Sequence, residues 1–128
     1  MNKICTSIEQ SKKLLELGID VNTADMRYSP LNPDIPWVWV GKPLIEKDAI
    51  PAWSLTALLE LIPKDENIVS DLDFGHYDDM CNYVAEWCIN YVDMSEGEEN
   101  PTIKLCSSEN PLDAVFDMIC WLKESKII

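Results

Sequence analysis

The sequence predicts an α+β fold, a small antiparallel sheet of three to four strands with about three helices packed mainly on one side. Three observations carry this prediction. Two stretches repeat apolar residues at helical spacing between recognisable caps: Leu55, Leu58, Leu59 and Ile62 in the first, and Val115, Phe116, Met118, Ile119 and Leu122 in the second. A third stretch, "NYVAEWCINYVDM", alternates aromatic and aliphatic residues with polar ones, the signature of a half-buried strand. Helical and extended segments follow one another without the regular alternation of a parallel sheet, which favours α+β. The 128 residues, 47% of them apolar, suffice for one domain spanning 1–128 with its own core.

Element by element, "TSIEQSKKLLELG" reads as the first helix. Thr6 caps with Glu9 three residues on, Ile8, Leu14, Leu15 and Leu17 supply a partial apolar face, and Gly18 stops the helix. "IDVNTADMRYSPLNPDIP" is expected to be mostly turn, because three prolines, two asparagines and three aspartates interrupt it. "WVWV", between Pro36 and Gly41, reads as a short strand buried on both faces. In "IPAWSLTALLELIP", Ser54 caps a helix, Trp53 is placed to staple onto Leu58, and Pro63 ends the helix at Ile62. "NIVSDLDF" has strand character. In residues 78–93, Met80, Val84, Trp87 and Tyr91 also fit a helix. The strand is preferred, because Asn82, Glu86 and Asn90 share one parity while Tyr83, Ala85, Trp87, Ile89 and Tyr91 share the other. "SEGEENP" is a solvated turn leading into the strand "TIKLC". The final helix is capped by Asn110, with Pro111 at its first position and Asp113 in its first turn.

Charge is the strongest compositional signal. The net charge is −13, and it is uneven: residues 1–64 hold seven Lys/Arg against eight Asp/Glu, residues 65–128 three against fifteen. No basic residue lies between Lys64 and Lys104, a span with eleven acids. Such a chain repels phosphate, which excludes direct nucleic-acid binding and docking on anionic membranes. It suits a basic protein partner, and whether the 65–103 segment does more than keep the chain in solution is a question for the fold. With no apolar run near about 18 residues and no apolar h-region in "MNKICTSIEQSKK", a cytoplasmic protein is expected.

Catalytic and metal chemistry is weakly supported. Cys5, Cys81, Cys88, Cys106 and Cys120 are scattered and odd in number, consistent with reduced, buried thiols and no cofactor. Asp73–Gly75 spells the kinase triplet "DFG", but no glycine-rich loop or catalytic-loop motif accompanies it. Asp71, Asp73, Asp78 and Asp79 are weak metal candidates, since an EF-hand would need a Glu where Asn82 stands. His76, Cys81 and Cys88 have the residue types of a base and a nucleophile, yet the acids around them raise a thiol pKa instead of lowering it. No catalytic residues are assigned, and the chain is not expected to be an enzyme. Five tryptophans are many for this length, and Trp37, Trp39 and Trp53 are the candidate partner surface.

Three blocks, "ICTSIEQSKKLLELGIDVNTADM", "IPAWSLTALLELIP" and "NPLDAVFDMICWLKE", resemble a family of small uncharacterised proteins of gut bacteria, their phages and integrated mobile elements. The resemblance covers about half of the chain, and no activity is established for that family, so no functional residue is carried over. It implies a mobile-element or phage context. The expected function is therefore a soluble, non-enzymatic accessory or protein-interaction module that binds a basic partner or a second copy of itself. The alternatives are an acidic decoy that occupies the nucleic-acid groove of a DNA-binding protein, and a metal-dependent enzyme using the 71–79 aspartates.

Overall fold

The computed structural model describes residues 3–38 and 48–128. The chain divides into two compact units, Met1–Leu61 and Ile62–Ile128. The α+β class holds, with the strands shared between two antiparallel sheets, three in the first and four in the second, instead of gathered in one.

The first unit contains α1 (Ile8–Glu16), a 3-10 turn (Val21–Thr23), β1 (Met26–Ser29), β2 (Asn32–Val38), β3 (Ile50–Ala52) and α2 (Leu55–Glu60). Ser7, one residue later than expected, caps α1 through the reciprocal box with Gln10. Thr6 is taken by another task. It is fully buried, its hydroxyl meets Ser11 Oγ at 2.8 Å and accepts from the Trp53 amide at 3.0 Å, and its amide donates to the Trp53 carbonyl at 2.9 Å. Gly18 adopts φ 88° and closes α1 with the paired bonds Ile19 N–H to Leu14 O and Gly18 N–H to Leu15 O, a Schellman stop.

The segment expected to be turn instead forms the sheet. Its strand order is β2-β1-β3, so β1 is central and free of proline, while Pro33, Pro36 and Pro51 all sit on the two edge strands. Edge strands tolerate proline because the missing N–H faces away from the ladder, so the prolines that argued against strands mark edges. The described half of "WVWV" is the end of β2, and both Trp37 and Val38 are exposed, which overturns the expected double burial. An edge strand has a neighbour on one side only.

Helix α2 follows the capping expectation at its start, with Ser54 Oγ accepting from Ala57 N at 3.2 Å. It ends at Glu60, before the predicted Ile62. Asp25 anchors the same cap, accepting from Ser54 N at 2.8 Å and from the Ser54 hydroxyl. Trp53 and Leu58 are fully buried.

The second unit contains β4 (Ile68–Val69), β5 (Leu72–Tyr77), β6 (Tyr83–Asp93), β7 (Thr102–Ser108) and α3 (Pro111–Glu124). Residues 83–93 are strand, as the parity of the polar positions indicated. β4 and β5 pair along one side of β6 and β7 along the other, all antiparallel. Helix α3 matches its predicted caps, with Asn110 Oδ1 accepting from Leu112 N at 2.8 Å and Pro111 at the first position. Leu112, Ala114, Val115, Met118, Ile119 and Leu122 are buried, and Trp121 meets Tyr91 edge to face at 6.0 Å. α3 thus packs over the Ile89–Tyr91 end of β6 and the Lys104–Cys106 part of β7, which face the same side in register.

Two stability outcomes follow. Leu58→Ala should cost about 2–5 kcal/mol in urea unfolding, the range for a large-to-small change at a fully buried site. Tyr91 is also fully buried, but its hydroxyl has no hydrogen-bond partner. An orphaned buried hydroxyl costs about 1–3 kcal/mol. Tyr91→Phe keeps the ring against Trp121 and removes the orphan, so its unfolding midpoint should equal or exceed that of the parent; a clear drop would mean that the hydroxyl is satisfied in solution.

Candidate functional site

The second unit leaves one end of its sheet uncovered, and the reason is length. β6 has eleven residues, about 36 Å at 3.3 Å each, whereas the fourteen residues of α3 span about 21 Å. The chain enters α3 just after Ser108, which pairs with Trp87, and runs back over Ile89 and Tyr91. About 15 Å of β6, its first four or five residues, extends past the helix. Burial follows this geometry: along β6, Ile89 and Tyr91 are fully buried, Trp87 is half-buried and Tyr83 is exposed.

On that overhang stands a cluster of rings. Phe74 pairs in register with Trp87 and Tyr77 with Tyr83, so each pair shares a face of the sheet, and a register shift separates the two pairs. Phe74 and Trp87 meet edge to face at 5.4 Å, Tyr77 and Tyr83 at 5.6 Å. Exposure reaches 55% at Phe74, 58% at Tyr83, 71% at Tyr77 and 83% at Met80 on the hairpin tip. Exposed aromatic residues gathered in this way are unusual on a surface that binds nothing.

The sequence builds this surface with two devices. Gly75 sits at a register shift in β5 with φ 87°, and the Tyr83 ring lies directly over it; a Cβ there would approach the Tyr83 hydroxyl to 2.2 Å. The bulge adds its extra residue to β6, which advances four residues from Trp87 to Tyr83 while β5 advances three from Phe74 to Tyr77. Asp78 then ties the hairpin. Its carboxylate accepts from Met80 N at 3.0 Å and Asn82 N at 2.9 Å, its amide donates to the Asn82 carbonyl at 3.0 Å, and Cys81 completes the turn at φ 61°. The Asn82 amide, then that of Met80, holds the Asp78 carboxyl below the usual carboxylate range.

The four aspartates considered for metal binding are therefore dispersed. Asp71 lies at the break between β4 and β5, where its amide donates to Asn90 Oδ1 at 2.9 Å. Asp78 and Asp79 lie at the hairpin tip, about 20 Å away along an extended strand. No group of three His, Cys, Asp or Glu side chains able to hold a metal occurs among the described residues. Burial, then the charge of Asp73, pushes the Cys88 thiol up, the opposite of an activated nucleophile. His76 Nε2 is buried without a partner, Cys88 Sγ lies 4.0 Å from the Gly75 carbonyl, and Cys81 is exposed at the turn.

The expected tryptophan surface is corrected in part. Trp53 belongs to the core, its indole N–H donating to Thr23 Oγ1 at 2.9 Å. Trp37 is exposed on edge strand β2, and Trp39 lies outside the described residues. The first unit also has a cleft of about 560 Å³ beside Thr23, Asp25, Thr56 and Glu60. Two of its polar groups are already committed to the fold: Asp25 to the α2 cap and Thr23 to Trp53 and the Asp20 carbonyl.

Charge separates the two units. Residues 1–61 carry six Lys/Arg and eight Asp/Glu, a net −2, whereas residues 62–128 carry four and fifteen, a net −11. The ring cluster thus stands in the acidic unit, with Asp73, Asp78, Asp79 and Glu86 on its own two strands and the turn between them. No helix among the described residues is long and apolar enough to cross a membrane. Comparisons with protein-family profiles, curated proteins and solved structures returned no match.

The turn should respond to acid. Asp78 has a depressed pKa in the fold, so its contribution is complete above the ordinary Asp value, about 3.9, and is lost as pH falls through the lower folded value. In a titration followed by nuclear magnetic resonance, the Met80 and Asn82 amides should shift together with a midpoint below about 3.9; a midpoint at or above it would show that the capping bonds do not persist in solution.

Proposed function

We propose that this chain is a non-enzymatic, cytoplasmic accessory module that docks on a protein partner through the β5–β6 hairpin. One observation carries the reading: four aromatic side chains share the end of the sheet that α3 does not reach, and three of them are more than half exposed. Aromatic anchors in a polar, charged setting are the usual centre of a protein interface, because they bury large area at low conformational cost. A mobile-element or phage context agrees with this reading and rests on the sequence resemblance alone.

A second reading, the acidic decoy, draws on the net −11 of residues 62–128. It differs in what carries the binding: charge spread over the unit instead of rings at one end. A metal-dependent enzyme built on the 71–79 aspartates has less support, since Asp71 and the turn aspartates lie far apart along the hairpin.

Affinity capture from host lysate, comparing the parent with Phe74→Ser/Tyr77→Ser, separates the first two. Both substitutions lie at exposed positions, so circular dichroism should be unchanged. The interface reading expects capture to fall by about tenfold or more. Undiminished capture by the double variant overturns it. Capture of a DNA-binding protein that high salt releases, and that is lost on neutralising Asp71, Asp73, Asp78 and Asp79, would favour the decoy.

A further inference from the structure

We infer that the hairpin takes an extended, arginine- or lysine-rich segment of a partner protein, added as a strand beside the first residues of β6. The inference rests on the hairpin being a docking surface and names what docks there.

Three observations converge on this ligand. The first is an open backbone edge. β7 pairs with β6 only from Trp87 to Asp93, and beyond Ser108 the chain turns away into α3. Opposite Tyr83–Glu86 no strand continues that ladder among the described residues, although β5 occupies the other side as far as Tyr83. An incoming strand can therefore extend the line of β7, as in strand addition to a sheet edge. The second is the pair of ring contacts at this end of the sheet, Phe74 with Trp87 and Tyr77 with Tyr83. A strand laid beside Tyr83–Glu86 points alternate side chains to the face that bears Tyr83, and a guanidinium or ammonium group is attracted to an aromatic face. The same pairing occurs inside this unit, where Lys104 Nζ stands 5.9 Å from the Trp121 centroid.

The third observation is charge, which decides among the candidate occupants. The hairpin and its strands carry Asp73, Asp78, Asp79 and Glu86, and the chain offers no Lys or Arg from residue 65 to residue 103. A second copy would bring its own acidic unit, net −11, against this one, so self-association at this surface is opposed. Anionic polymers are opposed for the same reason. A basic segment gains from every carboxylate it approaches, Glu86 among them on the strand it would pair with. Coulombic attraction at exposed sites is screened by salt, so the affinity must fall as salt rises.

The test titrates fluorescein-labelled short peptides alternating Arg and Thr, Gln and Thr, or Leu and Thr against the full chain, at low and at physiological salt. The Arg peptide is expected to bind more tightly at low salt and to shift the amides of Tyr83–Glu86. It should lose about tenfold in affinity with Phe74→Ser/Tyr77→Ser and several-fold with Asp79→Lys, a change at an exposed turn position that leaves the rings in place. Equal binding of the Gln peptide overturns the basic ligand. Binding of the Leu peptide alone, lost in the ring variant, also overturns it while leaving the hairpin as an interface. If the Arg peptide binds but neither the ring variant nor the Tyr83–Glu86 amides respond, the attraction is diffuse and the inferred site fails. If no peptide binds, the inference fails, and the lysate capture alone decides the docking reading.

Discussion

The second unit depends on a mismatch between one strand and one helix. β6 is the strand on which every other strand of its sheet pairs, and α3 is too short to cover it. Where the helix lies, Ile89, Tyr91, Met118, Ile119 and Leu122 close a core with no exposure. Where it does not, a bulge interrupts the alternation and the rings beyond it are exposed. Core and candidate site are thus two lengths of one strand, divided by where the chain turns at Ser108–Asn110.

Unit 62–128 also shows how backbone and side chains cooperate to hold an exposed cluster. A strand end without a covering layer has little apolar burial to fix it, so local bonds must do so. The Asp78 carboxylate satisfies two amides in the turn, and the Gly75 bulge seats the Tyr83 ring across the backbone. Both are arrangements that few other residues can supply: a left-handed backbone under a ring admits only glycine, and a short side chain with two acceptor oxygens suits the turn. The acids near the rings therefore serve local geometry as well as long-range attraction.

Much of this was legible in the sequence. The α3 cap at Asn110, the α1 stop at Gly18 and the strand character of 83–93 follow from local chemistry, which acts within a few residues. The Thr6 cap was misread because Thr6-x-x-Glu9 and Ser7-x-x-Gln10 satisfy the same rule; the contact of Thr6 with Trp53, 47 residues away, decided it. β1 was hidden because prolines around it were read as breakers, when their neighbours in space made them edges. The aromatic surface was missed for a related reason. Trp87 and Tyr91 lie in one unbroken register as the parity indicated, whereas Tyr83 lies beyond a bulge, and periodicity cannot say where a bulge falls or how far a covering helix extends. Comparing the length of the alternating run with that of the following helical run would have exposed the overhang. Attention fell instead on tryptophans, and Trp53 shows that residue type alone does not distinguish anchor from core.

The prolines of the first unit have a consequence of their own. Both borders of its sheet carry residues that offer no amide hydrogen, Pro33 and Pro36 on one side and Pro51 on the other. A stray extended chain arriving at either border finds gaps in the row of donors it would need, and templated growth from that sheet is interrupted. The same chain therefore closes two borders to adventitious pairing while leaving a short one open beside a cluster of rings, so that adhesion is confined to the place where acidic charge can select what adheres.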